Sequence, residues 1–480
     1  MNLLFRGPMF LAFTATLALG QLPAHRQVQE LVDLHAPQYV EASKAIWGFA
    51  EMGYHEDKSS ALLQSALKSA GFRIDAGVAG EPTAFVASYG TGQPVIGILG
   101  EFDALPGLSQ AATPDRSPVV QGAPGHGCGH NLLGAGAALA AVAIKDYMEK
   151  NHVTGTLRYF GTPAEEGGSG KVYMLRAGLF RDVDVVLHWH PGSHNAVFGG
   201  ALAIVSAKFR FHGTAAHAAL APDRGRSALD AVMLTGNGIE FLREHIPSTS
   251  RVHYVITNGG AAPNIVPDTA EMFLYARHPS LPALEGIWAR ITNIEQGAAL
   301  MTETTADTTI ISSDANVLPN DVLSKLAQKN LEAVGGFQYT ADEQHFAEEL
   351  RKSLPAGTDA DLRYTSLVQP LRPIDPNEPS ASTDVGDIAW NVPTVGFVTA
   401  TFVPGVVPHT WQAAASAGMS IGQKGMVVAS KALAITALDL FTDPRLVSDA
   451  KAEFKKRTTA APYKSLIPSG QAPPLDYRRN

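Results

Sequence analysis

Four short apolar runs constrain the architecture of this 480-residue chain. They are PVIGILG (residues 94–100), TGTLRYFGT (154–162), DVDVVLHWHPG (182–192) and TVGFVTATF (394–402). Each reads as a strand, and helical stretches lie between them. LLQSALKSAGF (62–72) is apolar at helical spacing and stops at Gly71. NLLGAGAALAAVAIKDYMEK (131–150) is built from small residues that let a helix pack closely on a sheet. Such alternation predicts an α/β sheet covered on its faces. Later stretches, DVLSKLAQKNLEAVGG (321–336) and GQKGMVVASKALAITALDLF (422–441), keep to that pattern.

Between residues 199 and 319 the rhythm changes. ALAIVSAKFRFHG, GRSALDAVMLTGNGIEFLREH, RVHYVITNGG, PDTAEMFLYAR, LPALEGIWARITNIEQGAALMT and ETTADTTIIS read in order as βαββαβ. That is the ferredoxin-like split βαβ arrangement, here inserted into the α/β unit. A chain of this length exceeds what one core usually serves. The expected division is a signal at 1–20, one domain from 21–198 and 320–454, an inserted domain at 199–319, and a polar, Pro-rich tail at 455–480 with no evident role.

The net charge of −8 and the scarcity of basic clusters argue against nucleic-acid binding. The N-terminus has Arg6, an apolar run over 9–19 and small residues before Gln21, the layout of an export signal. No later segment reads as long and apolar enough to span a bilayer. Export places the chain where thiols oxidise, and it has one cysteine, Cys128, in PGHGCGHN. A lone thiol there is a buried inert group, an intermolecular bridge, a nucleophile or a metal ligand.

The strand ends bear on that choice. Asp103 follows the first run, Glu165 and Glu166 the second, His188 and His190 close the third, and His409 follows the fourth. Cys128 and His130 lie in a Gly-rich loop before a helix. Ligands of open α/β sheets sit beyond the carboxyl ends of the strands, so these loops converge. A thiolate, imidazoles and a carboxylate pair are the donors of zinc and related metals. The nucleophile reading leaves the Glu pair, His190 and His409 without a task. In a Glu-Glu pair beside a metal, one carboxylate binds the cation and the other moves protons, which points to amide hydrolysis.

The motifs GEFDALPGLSQ, the Gly-rich stretch 122–134, GTPAEEGGSGKVYM, WHPG, GTAAHAALAPDRGRSALDAV, PNIVPDTAE, STDVGD and PHTW resemble, in order and spacing, the di-metal aminoacylase/carboxypeptidase-type amidohydrolases. Within that family the chain is most similar to the branch of the B-type aminobenzoyl-glutamate hydrolases. The resemblance implies a zinc-peptidase-like catalytic domain, with a mixed sheet under helices, and a ferredoxin-like lid and dimerisation domain. It implies two divalent ions, zinc or manganese, with cobalt or nickel as alternatives. Carried over by position, Cys128, His130, Glu166, His190 and His409 are metal ligands, with His188 the fallback for His190. Glu165 is the general acid/base, and Asp103 orients a ligand. His217, Asn264 and Arg277 on the inserted domain reach the substrate. Each of these three also has a plain structural reading: a packed histidine, a turn residue and a solvated charge. The implied substrate is a small amide with a free carboxylate, an N-acyl amino acid such as aminobenzoyl-glutamate. The implied assembly is a homodimer. Dipeptidase or carboxypeptidase activity, or a silent binding protein on the same fold, are the alternatives. Asn131 follows the CGH triplet where the auxin-conjugate branch has Asp, so metal preference can differ.

Overall fold

The computed structural model describes residues 11–375, 377, 380–459 and 461–478, and for 11–22 the backbone alone. The elements before the insertion are α1 (Leu11–Phe49), α2 (Asp57–Ser69), β1 (Arg73–Ala76), β2 (Phe85–Thr91), β3 (Val95–Glu101), α3 (His130–Asn151), β4 (Gly155–Thr162), α4 (Gly170–Arg176), β5 (Val185–Gly192) and β6 (Ala196–Val197). Then come β7 (Ala203–His212), α5 (Ala228–Arg243), β8 (Arg251–Asn258), β9 (Thr269–His278), α6 (Leu281–Met301) and β10 (Thr305–Asp314). The chain closes with α7 (Asp321–Val334), α8 (Ala341–Arg351), α9 (Val385–Ala389), β11 (Thr394–Ala400), α10 (Trp411–Gly418), α11 (Ser420–Thr442) and α12 (Pro444–Thr458).

The larger sheet runs β1-β2-β4-β3-β5-β11-β6. Its centre is parallel, with β3 beside β4 and β5, and β5 beside β11; β1, β2 and β6 pair antiparallel. It is thus a mixed sheet whose four parallel strands are the four apolar runs. One face carries α1, α3 and α11, packed on Ile96, Ile98, Leu187 and Trp189. The small residues of α3 permit close approach: a Cβ on Gly136 would lie 2.8 Å from Met426 and 3.0 Å from Trp189. The other face buries Leu99, Phe160 and Val186 under Met174, Val385 and Ile388.

The second sheet is antiparallel, in the order β10-β7-β9-β8. Helices α5 and α6 cover one face, with Phe209, Phe211, Met272, Ile239 and Ile291 in its own core. Strand β8 is an outer strand that leaves Val255 and Ile256 exposed.

Two features depart from the sequence reading. The sequence pattern favours an export signal over a buried helix at the N-terminus and marks no helix over residues 23–49, yet there α1 is a core element that buries Val28, Val32, Tyr39 and Ile46. The export signal falls on residues 1–10, outside the described residues, and on the start of α1, whose side chains are not described. The expectation that no later segment is long and apolar enough to span a bilayer needs correction. Among the described residues α11 meets both criteria, and 83% of its apolar window is buried inside the protein. Its hydropathy is that of a core helix, with Gln423, Lys424, Val427 and Lys431 along a partly exposed stripe.

Candidate metal centre

The centre forms where the parallel strands end. Strand β3 delivers Glu101 and, two residues on, Asp103; β4 leads into the Glu165–Glu166 turn; His190 sits near the end of β5. Helix α3 begins at His130, directly after the Cys128 loop. His409 follows β11 with a left-handed φ of 64°, and its N–H donates to the Gly127 carbonyl at 2.8 Å. That bond ties the His409 loop to the cysteine loop.

Among the described residues, three groups of donors each have their atoms within 4.8 Å of one another: Cys128, His130 and His190; Cys128, Glu166 and His409; and Glu101, His130 and Glu165. The first two share the Cys128 sulfur and together hold the five residues expected as ligands. His130 Nδ1 bonds Asp103 at 2.8 Å and His190 Nδ1 bonds the Pro191 carbonyl at 2.7 Å. Each ring is thereby oriented with Nε2 toward the centre, as metal-ligating histidines usually are. His190 Nε2 lies 3.5 Å from Cys128 Sγ. The other Asp103 oxygen accepts the Glu166 N–H at 2.9 Å, so one buried carboxylate fixes both a histidine and the glutamate turn.

The residues fit a divalent pair. His130 Nε2, Glu101 Oε2 and Glu166 Oε1 are buried without a hydrogen-bond partner. Buried polar atoms are nearly always partnered; here His130 Nε2 and Glu101 Oε2 lie 3.2 Å apart, and Glu166 Oε1 lies 3.3 Å from His409 Nε2, with the Cys128 thiol beside them. The donor set is that of zinc, manganese and their neighbours.

Behind the donors lies a fully buried cation. Lys171 Nζ stands 2.8 Å from Glu101 Oε1 and 2.7 Å from Asp384 Oδ1. Burial alone would raise Glu101, but Lys171 and His130 bring it below the usual carboxylate range. Among the described residues no lysine or arginine pairs with Glu165, and His130 Nε2 stands 3.9 Å from it. Burial first, then the charges of Glu101 and Glu166, push it well above that range. Burial, reinforced by Glu166, raises the Cys128 thiol. Burial and His130 hold His190 low.

His188 stands apart. Among the described residues it joins no donor group. Its ring lies over β11, where a Cβ on Gly396 would sit 2.1 Å from Nε2, and it lines a separate cavity of about 560 Å³. Asn131 also faces away, donating to the Ser43 and Ala417 carbonyls at 3.2 and 3.4 Å. Two carbonyl acceptors suit an amide NH₂ and oppose a carboxylate.

His217 and Asn264 are neighbours on the second sheet's flank, joined where Ala218 N–H donates to the Asn264 carbonyl at 3.0 Å. Both are exposed. His217 Nδ1 accepts the N–H groups of Ala219 and Leu220 at 3.2 Å, which leaves Nε2 as the donor. None of these bonds reaches the metal donors of the same chain. Arg277 stacks over Tyr275 and donates to Ser382 at 3.4 Å.

Sequence reasoning left Glu101, Lys171 and Asp384 without roles. Glu101 was legible as a carboxylate ending an apolar strand. Lys171 and Asp384 are far apart in sequence, and only the fold pairs them.

Comparison with known proteins places these features in context. Residues 97–434 match the model described as peptidase family M20/M25/M40. The chain is 40% identical over 473 residues to the B-type component of p-aminobenzoyl-glutamate hydrolase of Escherichia coli strain K12, covering 94% of this chain and 98% of the relative. It is 31% identical over 449 residues to the Xaa-Arg dipeptidase of Mus musculus, covering 90% and 92%. A crystal structure of a dinuclear metal-binding M20 peptidase from Bacillus subtilis superposes with a TM-score of 0.57 at 16% identity, over 85% of this chain and 99% of that one. That last likeness is one of fold.

Proposed function

The chain belongs to the M20/M25/M40 peptidase family, and from that premise we propose that it hydrolyses the amide bond of an N-acyl amino acid, such as aminobenzoyl-glutamate, at two divalent ions. That it is a hydrolase of amide bonds follows from the family and its relatives. The observation that carries the finer reading is the pair of donor groups joined at Cys128 Sγ, with Glu165 beside them in neither. One ion would be held by Cys128, His130 and His190, the other by Cys128, Glu166 and His409. When bound, such ions acidify water and polarise a carbonyl oxygen.

The chain's own residues do the rest. Asp103 fixes the His130 ring and the Glu166 backbone, so both donors keep their positions. Glu165, 3.9 Å from His130 Nε2, takes the proton from the attacking water as its oxygen bonds the carbonyl carbon. The C–N bond then breaks, and Glu165 returns that proton to the leaving nitrogen. A carboxylic acid and an amine are released, and the acid's proton passes to the amine to give a carboxylate and an ammonium. His217, with Nε2–H free to donate, and Asn264 would hold the substrate carboxylate or the developing oxyanion.

Among the described residues His217 and Asn264 are exposed and make no hydrogen bond to their own chain's donors, which supports a site completed by a second copy. The exposed edge of β8, with Val255 and Ile256, offers the surface for that pairing. The second sheet then serves as lid and dimerisation domain. The Escherichia coli relative is named as one component of a hydrolase with more than one kind of chain, which keeps pairing with a different chain as the competing outcome. The apolar run after Arg6 supports export. A hydrolysis screen of N-acyl amino acids and dipeptides, with zinc, manganese, cobalt and nickel in turn, tests the reading. Cleavage of an acyl-glutamate above all dipeptides supports it, and preference for a dipeptide with a basic C-terminal residue replaces it.

A further inference from the structure

The sequence gives the tail no role, yet residues 461–478 lie along the body as a strap with fixed anchors. Tyr463 Oη donates to Asp387 at 2.6 Å. Ile467 is buried against Val172 and Tyr173, and the Arg176 guanidinium donates to the carbonyls of Ile467 and Pro468. Gln471 donates to the Ile310 carbonyl of β10 at 2.8 Å, so the strap touches the second sheet. It then reaches the metal centre. The Tyr477 ring meets Tyr54 edge-on, with centroids 5.9 Å apart. Tyr477 Oη donates to the Glu166 carbonyl at 3.4 Å, and Arg478 Nη2 donates to the same oxygen.

The body is shaped to receive this end. A Cβ on Gly53 would lie 2.4 Å from Tyr477 Oη, so only glycine leaves room for the phenol there. The turn it grips is under strain at Ala164 and Ser169, with φ of 55° and 53°, on either side of Gly167, which takes its φ of 109° freely. For Ala and Ser such conformations persist only when their surroundings enforce them. From the body, Glu56 accepts the Ala164 N–H and Asp103 the Glu166 N–H, each at 2.9 Å. Among the described residues the Glu166 carbonyl is gripped by the tail alone, through two donors.

We propose that the C-terminal tail is part of the catalytic centre, and that Tyr477 and Arg478 are positioning residues for the Glu165–Glu166 turn. The proposal rests on the di-metal reading above and assigns its alignment to a segment more than three hundred residues downstream. Their role is exerted through the Glu166 carbonyl. They hold the backbone from which one metal donor and the proton-transferring carboxylate project. Positions around a metal centre are sensitive to such outer partners.

The test uses the full chain, Arg478→Ala, Arg478→Lys, and a chain stopped after Asp476. The Tyr463, Ile467 and Gln471 anchors remain in all, so thermal melting should move little. Metal-stripped protein is titrated calorimetrically with zinc or manganese alone, and amide exchange is followed at Gly167 and Gly168. Arg478→Ala and the shortened chain should bind metal about tenfold or more weakly. Exchange in the turn should quicken, and kcat should fall with less change in KM. Arg478→Lys, whose ammonium can still donate to the carbonyl, should recover most of each loss. Wild-type metal affinity and turn protection in both Arg478→Ala and the shortened chain would overturn the proposal. So would losses that merely track a fall in melting temperature, since the tail would then be structural. The titration needs no substrate, so the proposed activity can fail while the positioning role stands, or the reverse.

Discussion

Lys171 has no exposed surface and neutralises Glu101 and Asp384 at once. Lys171→Met keeps the length and removes the charge, leaving two buried carboxylates facing each other. Breaking a buried pair in this way costs on the order of 3–5 kcal/mol. The expected outcome is a clear loss in urea-denaturation midpoint, and an unchanged midpoint would show that water already reaches the pair. Glu165 gives a second prediction at this scale. Glu165→Gln keeps the shape and removes the proton acceptor, so kcat should fall roughly a hundredfold or more while metal stays bound. Activity close to wild type would move the proton-transfer role elsewhere. The sequence offered the carboxylates and imidazoles of this site because each follows an apolar strand. It also left His188 and His190 two residues apart as competing donors. The fold separates them: His190 faces Cys128, whereas His188 covers Gly396.

Among the elements, the junction of α9, β10 and the tail carries the clearest dependence on pH. Asp387 accepts the Ala315 N–H at 2.9 Å and the Tyr463 hydroxyl at 2.6 Å. Burial, with the nearby Asp384 charge, pushes its carboxyl up from 3.8 to about 7 despite those bonds. Between these two values the folded protein holds a proton that the unfolded chain has released. Stability should therefore fall as pH rises from about 3.8 to about 7 and level off above. In Asp387→Asn this contribution disappears, so the variant should gain on the wild type across that window. Parallel melting curves from pH 4 to pH 7 would contradict the assignment. Strand and helix periodicity made the two sheets legible, including the βαββαβ order. It did not reveal α1, whose polar stretches obscure the buried Val28, Val32, Tyr39 and Ile46. Nor did it reveal the strap, because a Pro-rich tail has no periodicity and its bonds are made with distant residues.

For the whole molecule, none of the hydrogen bonds of His217 and Asn264 among the described residues reaches the metal donors of the same chain, and the proposed site is finished by a partner copy. Mixing Glu165→Gln with His217→Ala protein, under conditions that exchange subunits, should restore part of the activity. One hybrid site would then carry both intact residues. No recovery despite demonstrated exchange would mean that His217 serves its own chain or no site. The central claim is a two-ion centre whose two donor groups share the single cysteine, and metal-to-chain stoichiometry tests it most directly. Elemental analysis of the purified protein should find two divalent ions per chain, with Cys128→Ser losing a large part of both and His130→Ala mainly one. Two ions retained in full by both variants, or no bound metal in a folded wild type, would contradict the account.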